Sequence, residues 1–271
     1  MIPASFDYER AESVDHALEL LGSGRNAKLL AGGHSLLPLM KLRFARPELL
    51  VDIGRLGDLS YVREDGDRIA IGALTRYHDL ERDELLRGQC AIVAQTSAEV
   101  GDPQVRHLGT IGGSVAHGDP ASDMPTVLLA LDAELVVRGP NGERTVSAGD
   151  MFTGFFTTAV GTEEILTEIR VPKAGGTYVK FNRRAQDWAT VGVAVARTNG
   201  AAQVALTNMG HTPLRARGVE EALGTGDDPA TAAKRAAEGT SPPSDHNGSA
   251  EFRGHLATVL VRRALEEALA K

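Results

Sequence analysis

Two glycine pairs are the residues of this chain whose types and spacing could do chemistry, because a serine and a nearby histidine follow each pair. The first pair lies in "AGGHS" (31–35) and the second in "TIGGSVAHGDPASD" (110–123). Two kinds of site fit these residues: a metal or nucleophile site made by side chains, or a phosphate-binding site made by the backbone. Neither stretch contains H-E-x-x-H, a zinc-type spacing or G-x-S-x-G, so the sequence disfavours a metalloenzyme and a hydrolase.

The phosphate interpretation depends on the backbone around the glycines. A backbone N–H group reaches a phosphate most easily at glycine, because a Cβ would block the approach. The apolar run "KLLA" precedes the first pair and "HSLLPLM" follows it, which predicts bare N–H groups at the start of a helix, where anions are favoured. "TIGGS" repeats the pattern without forming G-x-G-x-x-G or a P-loop. A plain structural turn remains an alternative for either pair taken alone.

Other side chains near these motifs leave two interpretations open. After the second pair, Ser122 or Asp123 could cap a helix, or Asp123 could accept hydrogen bonds from the hydroxyl groups of a sugar or ribityl chain. Trp188, the only tryptophan, could fill a core or an interface, or could line a site. The charged stretch "NRRAQD" (182–187) could be a solvated turn, or Arg183 or Arg184 could contact a partner chain or a cofactor phosphate.

Composition limits the classes of function. The 271 residues carry a net charge of −7, which gives no electrostatic basis for nucleic-acid binding. No apolar stretch approaches the about 20 residues that span a bilayer, and the start lacks signal-peptide features, so we expect a cytoplasmic protein. The single cysteine, Cys90, can form neither an internal disulfide nor an iron–sulfur cluster, and we interpret it as a small buried residue. Redox chemistry would therefore need a bound organic cofactor or another chain.

The hydrophobic pattern predicts the elements that would position these residues. Ser13 is expected to cap a helix that ends near Gly22, and a strand–loop–helix–strand unit fills the first 55 residues. Further on we predict a strand at 67–73, mostly helix at 77–100, a loop-rich segment at 101–123, a helix at 124–133 and strands at 134–139 and 163–172. After Pro172 the pattern changes to an antiparallel meander at 177–184, 189–198 and 201–210, followed by helices.

Three motifs in the same order give the chain a resemblance to a known family. "KLLAGGHSLLPLMKLR", "TIGGSVAHGDPASDMP" and "YVKFNRRAQDWATVGVAV" resemble the FAD-binding medium (flavoprotein) subunit of the molybdenum hydroxylases, the family of the carbon-monoxide-dehydrogenase medium subunit and the xanthine-dehydrogenase FAD domain. The resemblance covers nearly the whole chain. It implies an α+β protein with the FAD-binding fold of the vanillyl-alcohol-oxidase (PCMH) type: two α/β subdomains at 1–56 and 57–172, and a C-terminal domain at 173–271 with a three-stranded antiparallel sheet plus helices.

The resemblance also implies non-covalent FAD between the first two subdomains and no catalytic side chain. The implied first pyrophosphate loop is Leu29, Leu30, Ala31, Gly32, Gly33, His34 and Ser35, and the second is Thr110, Ile111, Gly112, Gly113 and Ser114. Position 114 is often Asn in relatives. Asp123 is implied near the ribityl and ribose region. The other implied FAD neighbours are Val100, Gly101, Leu166, Lys180, Asp187 and Trp188, and we hypothesise that Lys180 stabilises the reduced flavin.

The family's division of labour supplies the expected function. Substrate is oxidised at the molybdenum cofactor of a large subunit, electrons cross two [2Fe–2S] clusters of a small subunit, and FAD on this chain passes them to an external acceptor. The expected assembly is a heterotrimer doubled into a heterohexamer. Two alternatives remain: a self-sufficient flavin-dependent oxidoreductase of the same fold, and a non-catalytic nucleotide-binding protein. The substrate and the final acceptor (NAD, quinone or oxygen) are not encoded in this chain.

Overall fold

The computed structural model of the protein describes residues 1–198 and 200–270. Its strands, in chain order, are β1 (Asp7–Arg10), β2 (Ala27–Leu30), β3 (Leu49–Asp52), β4 (Val62–Asp65), β5 (Arg68–Gly72), β6 (Glu134–Gly139), β7 (Gly142–Ser147), β8 (Phe152–Gly154), β9 (Thr157–Thr158), β10 (Ile165–Pro172), β11 (Gly175–Phe181), β12 (Val191–Thr198), β13 (Ala201–Thr207) and β14 (Leu214–Arg215). Its α-helices are α1 (Val14–Leu21), α2 (Leu36–Lys41), α3 (Tyr77–Leu80), α4 (Glu84–Gln89), α5 (Ala91–Glu99), α6 (Pro103–Leu108), α7 (Ile111–His117), α8 (Asp123–Ala130), α9 (Ala148–Met151), α10 (Arg217–Gly224), α11 (Pro229–Ala232) and α12 (Ala250–Ala270).

A small parallel sheet in the order β1-β3-β2 begins the chain. The predicted strand–loop–helix–strand unit is confirmed, and Ser13 caps α1 by accepting a hydrogen bond from the N–H of His16. Strand β1 lies outside the predicted elements. Its four residues are all exposed, so its sequence carries no apolar alternation from which it could be recognised.

The second sheet has five antiparallel strands in the order β4-β5-β10-β6-β7, and helices α3 to α8 follow β5 before the chain returns to β6.

The stretch 77–100 is helical as predicted, but it is divided into three helices. The stretch 101–123, expected to be loop-rich, contains α6 and α7, and this expectation is wrong. Two of its loop-favouring residues mark helix boundaries: Pro103 is in the first turn of α6, and Gly118, with φ +66°, ends α7.

The C-terminal part is a meander, β11-β12-β13, as predicted, and the two-residue strand β14 extends the three expected strands to four. Alternate residues of β12 face opposite layers. Val191, Val193 and Val195 pack in the cluster that includes α12, whereas Ala194 and Ala196 pack in the main core with α5 and α8. The meander therefore lies between the C-terminal helices and the helices of the second sheet, and it carries Lys180 toward α8.

None of the helices within residues 1–198 and 200–270 combines the length and the apolar composition that a membrane crossing requires.

Candidate cofactor site

The first glycine pair lies in the turn between β2 and α2 and leaves its N–H groups bare. Gly33 has φ +76°, a conformation that suits glycine. Ser35 precedes α2 without making a side-chain capping bond. Among the described residues, none accepts a hydrogen bond from the backbone N–H groups of Gly32 to Leu36. This run of consecutive donors is the arrangement with which a loop binds a phosphate.

The second glycine pair lies in the first turn of α7, and its N–H groups already have acceptors. Ile111 donates to Thr75 O (3.1 Å), Gly112 to Ala73 O (2.8 Å) and Ser114 to Thr110 O (3.2 Å), and Gly113 donates to the side chain of Thr110 (3.2 Å). A Cβ on Gly112 would lie 2.6 Å from Ala73 O. The stretch from 110 to 114 is thus the capped start of a helix packed against the end of β5 and not a loop, whereas its contact with the cofactor stays a prediction.

The first motif lies directly against the backbone that precedes the second motif. A Cβ built on Gly32 would lie 2.1 Å from Leu108 O and 2.9 Å from Gly109 Cα, so only glycine permits the first turn to approach the backbone that leads into α7. The fold therefore brings the bare N–H groups of the first motif next to Thr110 and the N-terminus of α7.

The turn after α5 contains Val100 and Gly101 and is held on two sides. Gly101 has φ +52°. The Arg106 guanidinium donates to Val100 O (3.2 Å), and the Lys180 Nζ donates to Glu99 O (2.6 Å). Lys180 thus connects strand β11 of the C-terminal meander to this turn.

Asp123 and Lys180 form a buried ion pair. Lys180 Nζ lies 3.2 Å from Asp123 Oδ2, with side chains 3% and 6% exposed, and Tyr178 Oη donates to Asp123 Oδ1 (2.6 Å). Burial raises the pKa of Asp123, and the positive charge of Lys180 opposes that rise. Neither Ser122 nor Asp123 makes the capping bond of α8, so the capping interpretation is wrong.

The Asp123 network extends through the hydroxyl groups of Tyr178, Thr207 and Thr126. Tyr178 Oη lies 3.3 Å from Thr207 Oγ1, which donates to Thr126 Oγ1 (2.8 Å). Sequence reasoning missed Tyr178. A usable signal existed, because Tyr178 and Lys180 are two apart on one strand and therefore share a face of the sheet.

The remaining implied FAD neighbours occupy different surroundings. Leu166 is buried in the main core, next to a register shift in β10. Asp187 and Trp188 lie in the segment between β11 and β12, where Trp188 is 59% exposed, so Trp188 does not fill the core. Arg183 donates to His246 O of the same chain (3.1 Å). Within the described residues, no hydrogen bond joins the side chains of Leu166, Asp187 or Trp188 to either glycine motif.

Cys90 and the histidines add no reactive centre. Cys90 is fully buried, as predicted, and burial raises the pKa of its thiol to about 12. Across residues 1–198 and 200–270, no group of three or more His, Cys, Asp or Glu side chains is arranged to hold a metal ion.

These features define a class of protein when they are compared with known families. Residues 4–174 match the family model described as "FAD binding domain in molybdopterin dehydrogenase", and residues 176–268 match "CO dehydrogenase flavoprotein C-terminal domain". The chain belongs to this family of FAD-binding medium subunits, so the expected FAD cofactor, oxidoreductase class and PCMH-type fold are confirmed.

Individual relatives match over essentially their whole length. The carbon monoxide dehydrogenase medium chain of Hydrogenophaga pseudoflava is 42% identical, with 100% of this chain and 99% of the relative covered. The glyceraldehyde dehydrogenase medium chain of Sulfolobus acidocaldarius is 39% identical, with 98% and 99% covered. A solved structure of carbon monoxide dehydrogenase from Hydrogenophaga pseudoflava superposes with a TM-score of 0.95 at 43% identity, covering 100% of this chain and 99% of that chain.

Proposed function

We propose that this chain is the electron-transfer subunit of a molybdenum hydroxylase, receiving electrons from [2Fe–2S] clusters of a small partner subunit and passing them through FAD to an external acceptor. The large partner subunit holds the molybdenum cofactor, and two such heterotrimers form the complex. Full-length similarity to medium chains of two different dehydrogenases supports this proposal. The names of these relatives differ in substrate, so the partner subunit, not this chain, selects what the complex oxidises.

One observation carries the cofactor assignment: the bare N–H groups of Gly32 to Leu36 lie where the first motif contacts the backbone before α7. A pyrophosphate needs several donors within a short distance, and this turn provides them. The second motif has used its N–H groups in the fold. Its contribution is the close packing of α7 against Ala73 that Gly112 permits, together with the hydroxyl group of the half-buried Ser114.

The bound flavin supplies the electron-transfer chemistry, and the chain supplies binding, orientation and electrostatic tuning. Lys180 holds the turn at Glu99 and neutralises the charge of Asp123. Lys180 and Asp123 therefore act on the cofactor together, as a fixed ion pair. The proposed FAD neighbours are those of the sequence analysis. The proposed boundaries at 56/57 and 172/173 are supported by the three main sheets, because each lies within one of the three parts.

The binding site is tested with purified full-length chain and the substitution Gly32→Ala. Its new Cβ would meet backbone atoms of Leu108 at 2.1 and 2.8 Å, so the two motifs must separate. We expect FAD affinity to fall about tenfold or more, which corresponds to about 1.4 kcal/mol or more. Gly57→Ala is the matched control, because a Cβ there meets nothing within 4 Å. Equal FAD affinity in both variants would contradict the placement of the pyrophosphate.

The division of labour is tested by purification of the native complex. Co-purification with a molybdenum-containing large subunit and an iron–sulfur small subunit, and reduction of FAD by substrate only in the complex, is the expected result. Rapid oxidation of a substrate by the isolated yellow chain would instead identify a self-sufficient oxidoreductase. A colourless chain that binds another nucleotide would identify a nucleotide-binding protein without redox function.

A further inference from the structure

The two glycine motifs provide hydrogen-bond donors but no permanent positive charge. Neither the stretch 29–36 nor the stretch 108–118 contains a lysine or an arginine. The pyrophosphate of FAD is anionic, and charged donors, above all arginine, form the strongest hydrogen bonds to phosphate oxygen atoms. A cation that binds this group must therefore come from another part of the chain.

Arg76, the residue before α3, is paired with the start of the second motif. It lies opposite Thr110 in an antiparallel β-bridge. The N–H of Tyr77 donates to Gly109 O (3.1 Å) on one side of this pair, and a second backbone hydrogen bond flanks it on the other side. A pair between two such bonds is of the type whose side chains approach most closely and lie on the same face. The Arg76 side chain therefore shares a face with the side chain of Thr110.

The segment that pairs with Arg76 is also the one that the first motif contacts. A Cβ on Gly32 would lie 2.1 Å from Leu108 O and 2.9 Å from Gly109 Cα, and Thr110 is the next residue. The turn with the bare N–H groups and the side chain of Arg76 are thus brought together by the same three residues, 108–110.

The guanidinium group of Arg76 has no contact in the fold. Arg76 is exposed, and its side chain makes no hydrogen bond or ion pair within residues 1–198 and 200–270. The cations of the neighbouring turn, Arg106 and Lys180, are by contrast held by main-chain carbonyl groups and carboxylates. Arg76 can therefore bind an anion without giving up a contact that stabilises the chain.

We propose that Arg76 binds the pyrophosphate of FAD, its guanidinium group donating to phosphate oxygen atoms while the bare N–H groups of the first motif bind the same group. Arginine has forked donors that match two phosphate oxygen atoms, and it stays charged at every working pH. Arg76 thereby supplies the positive charge that neither motif contains. This inference rests on the proposed function.

The test is the substitution Arg76→Ala. FAD dissociation constants are measured by flavin fluorescence on the full-length chain, or on the assembled complex if the chain co-purifies with partners. Loss of the charged hydrogen bonds should weaken binding about tenfold or more, and Arg76→Lys, which keeps the charge but not the fork, should lie in between. Arg87→Ala is the matched control and should bind FAD like the wild type. It removes the same charge from an exposed arginine of α4, a helix that packs against α5 and β4.

The salt dependence of binding separates a phosphate contact from a structural effect. Salt screens a contact between two charges, so FAD affinity should fall more steeply between about 0.05 and 0.5 M NaCl in the wild type and Arg87→Ala than in Arg76→Ala. Because the Arg76 side chain has no partner in the fold, FAD-free Arg76→Ala should unfold at the same urea concentration as the wild type.

Several results would overturn the inference. These are equal FAD affinity in Arg76→Ala and the wild type, equal salt dependence in the two proteins, an equal loss of affinity in Arg87→Ala, or destabilisation of FAD-free Arg76→Ala. Should Arg76→Ala fold poorly, Arg76→Gln is measured in its place with the same expected results. A wild-type chain that binds no FAD contradicts the proposed function instead.

Discussion

Removing the positive charge of Lys180 tests how the buried ion pair contributes to stability and to the flavin. Lys180 Nζ and Asp123 Oδ2 are 3.2 Å apart with both side chains almost fully buried. At an effective dielectric constant of about 20, their attraction is about 5 kcal/mol before the desolvation of both groups is subtracted. Breaking a buried pair by removing one partner costs about 3–5 kcal/mol. We therefore expect Lys180→Met to lower the free energy of unfolding by about 3–5 kcal/mol at pH 7.

The double variant Lys180→Met/Asp123→Asn separates the loss of the attraction between the two charges from the cost of leaving Asp123 as an unpaired buried charge. In Lys180→Met, Asp123 remains buried with only Tyr178 as a hydrogen-bond donor. Adding Asp123→Asn removes the uncompensated charge, so the double variant should recover about half of the lost free energy. Urea unfolding of the full-length chain measures both values. A cost below about 1 kcal/mol for Lys180→Met, with no recovery in the double variant, would refute the buried pair.

The pH dependence of Lys180→Met has a defined sign. Burial raises the folded-state pKa of Asp123 even with Lys180 opposing it, so the folded chain binds the Asp123 proton more tightly than the unfolded chain does. The contribution of Asp123 to stability is therefore complete below its unfolded pKa and lost as the pH rises through its folded pKa. Without Lys180 this loss extends to higher pH. Lys180→Met should thus lose stability with rising pH over a wider range than the wild type, whereas Lys180→Met/Asp123→Asn should not.

The same variants test the hypothesis that Lys180 stabilises the reduced flavin. The intact pair has no net charge, so its effect on the flavin potential depends on which partner is removed. Asp123→Asn leaves an unpaired cation and should raise the midpoint potential, and Lys180→Met with Asp123 ionised should lower it. The double variant should lie near the wild type. Identical potentials in all four proteins would show that the pair does not act on the flavin.

Three further predictions concern other residues. Burial raises the pKa of Glu168, but hydrogen bonds from one tyrosine and two arginines outweigh this effect and hold the pKa below its usual value. The ionised Glu168 therefore contributes stability that is present above the unfolded pKa and is lost as the pH falls through the folded pKa. Urea unfolding between pH 3 and 5 should accordingly show a steeper loss of stability for the wild type than for Glu168→Gln. FAD binding should quench the emission of Trp188 and reduce its access to acrylamide; unchanged emission would place Trp188 away from the flavin. Cys90 should react with Ellman's reagent only after denaturation, and rapid reaction of the native chain would contradict its burial.

The sequence was sufficient for the elements whose apolar residues have a regular period. Strand β12, in which valines alternate with smaller residues and both faces are buried, and the Ser13-capped helix α1 were predicted in place. Helices α6 and α7 were missed because Pro103 and Gly118 favour loops in isolation, although the first is a helix-start residue and the second a helix end. Strand β1 was missed because all of its side chains are exposed, which leaves no pattern to detect.

Local sequence patterns could not predict the polar contacts of the site. Asp123 and Lys180 are far apart in the chain, and only the packing of the meander against α8 makes them partners.

The two glycine pairs show that identical residue types can have different physical roles. At Gly32 the missing Cβ permits contact with Leu108, and the adjoining N–H groups stay free for a ligand. At Gly112 the missing Cβ permits contact with Ala73, and the N–H group is consumed by that same contact. Since an N–H group with an in-chain acceptor is a poor donor to a phosphate, we propose that the pyrophosphate obtains most of its hydrogen bonds from the first motif. We propose that the second motif contributes through its shape and through the hydroxyl groups of Thr110 and Ser114, because Thr110 only accepts a hydrogen bond within the fold and each hydroxyl group has a proton to donate.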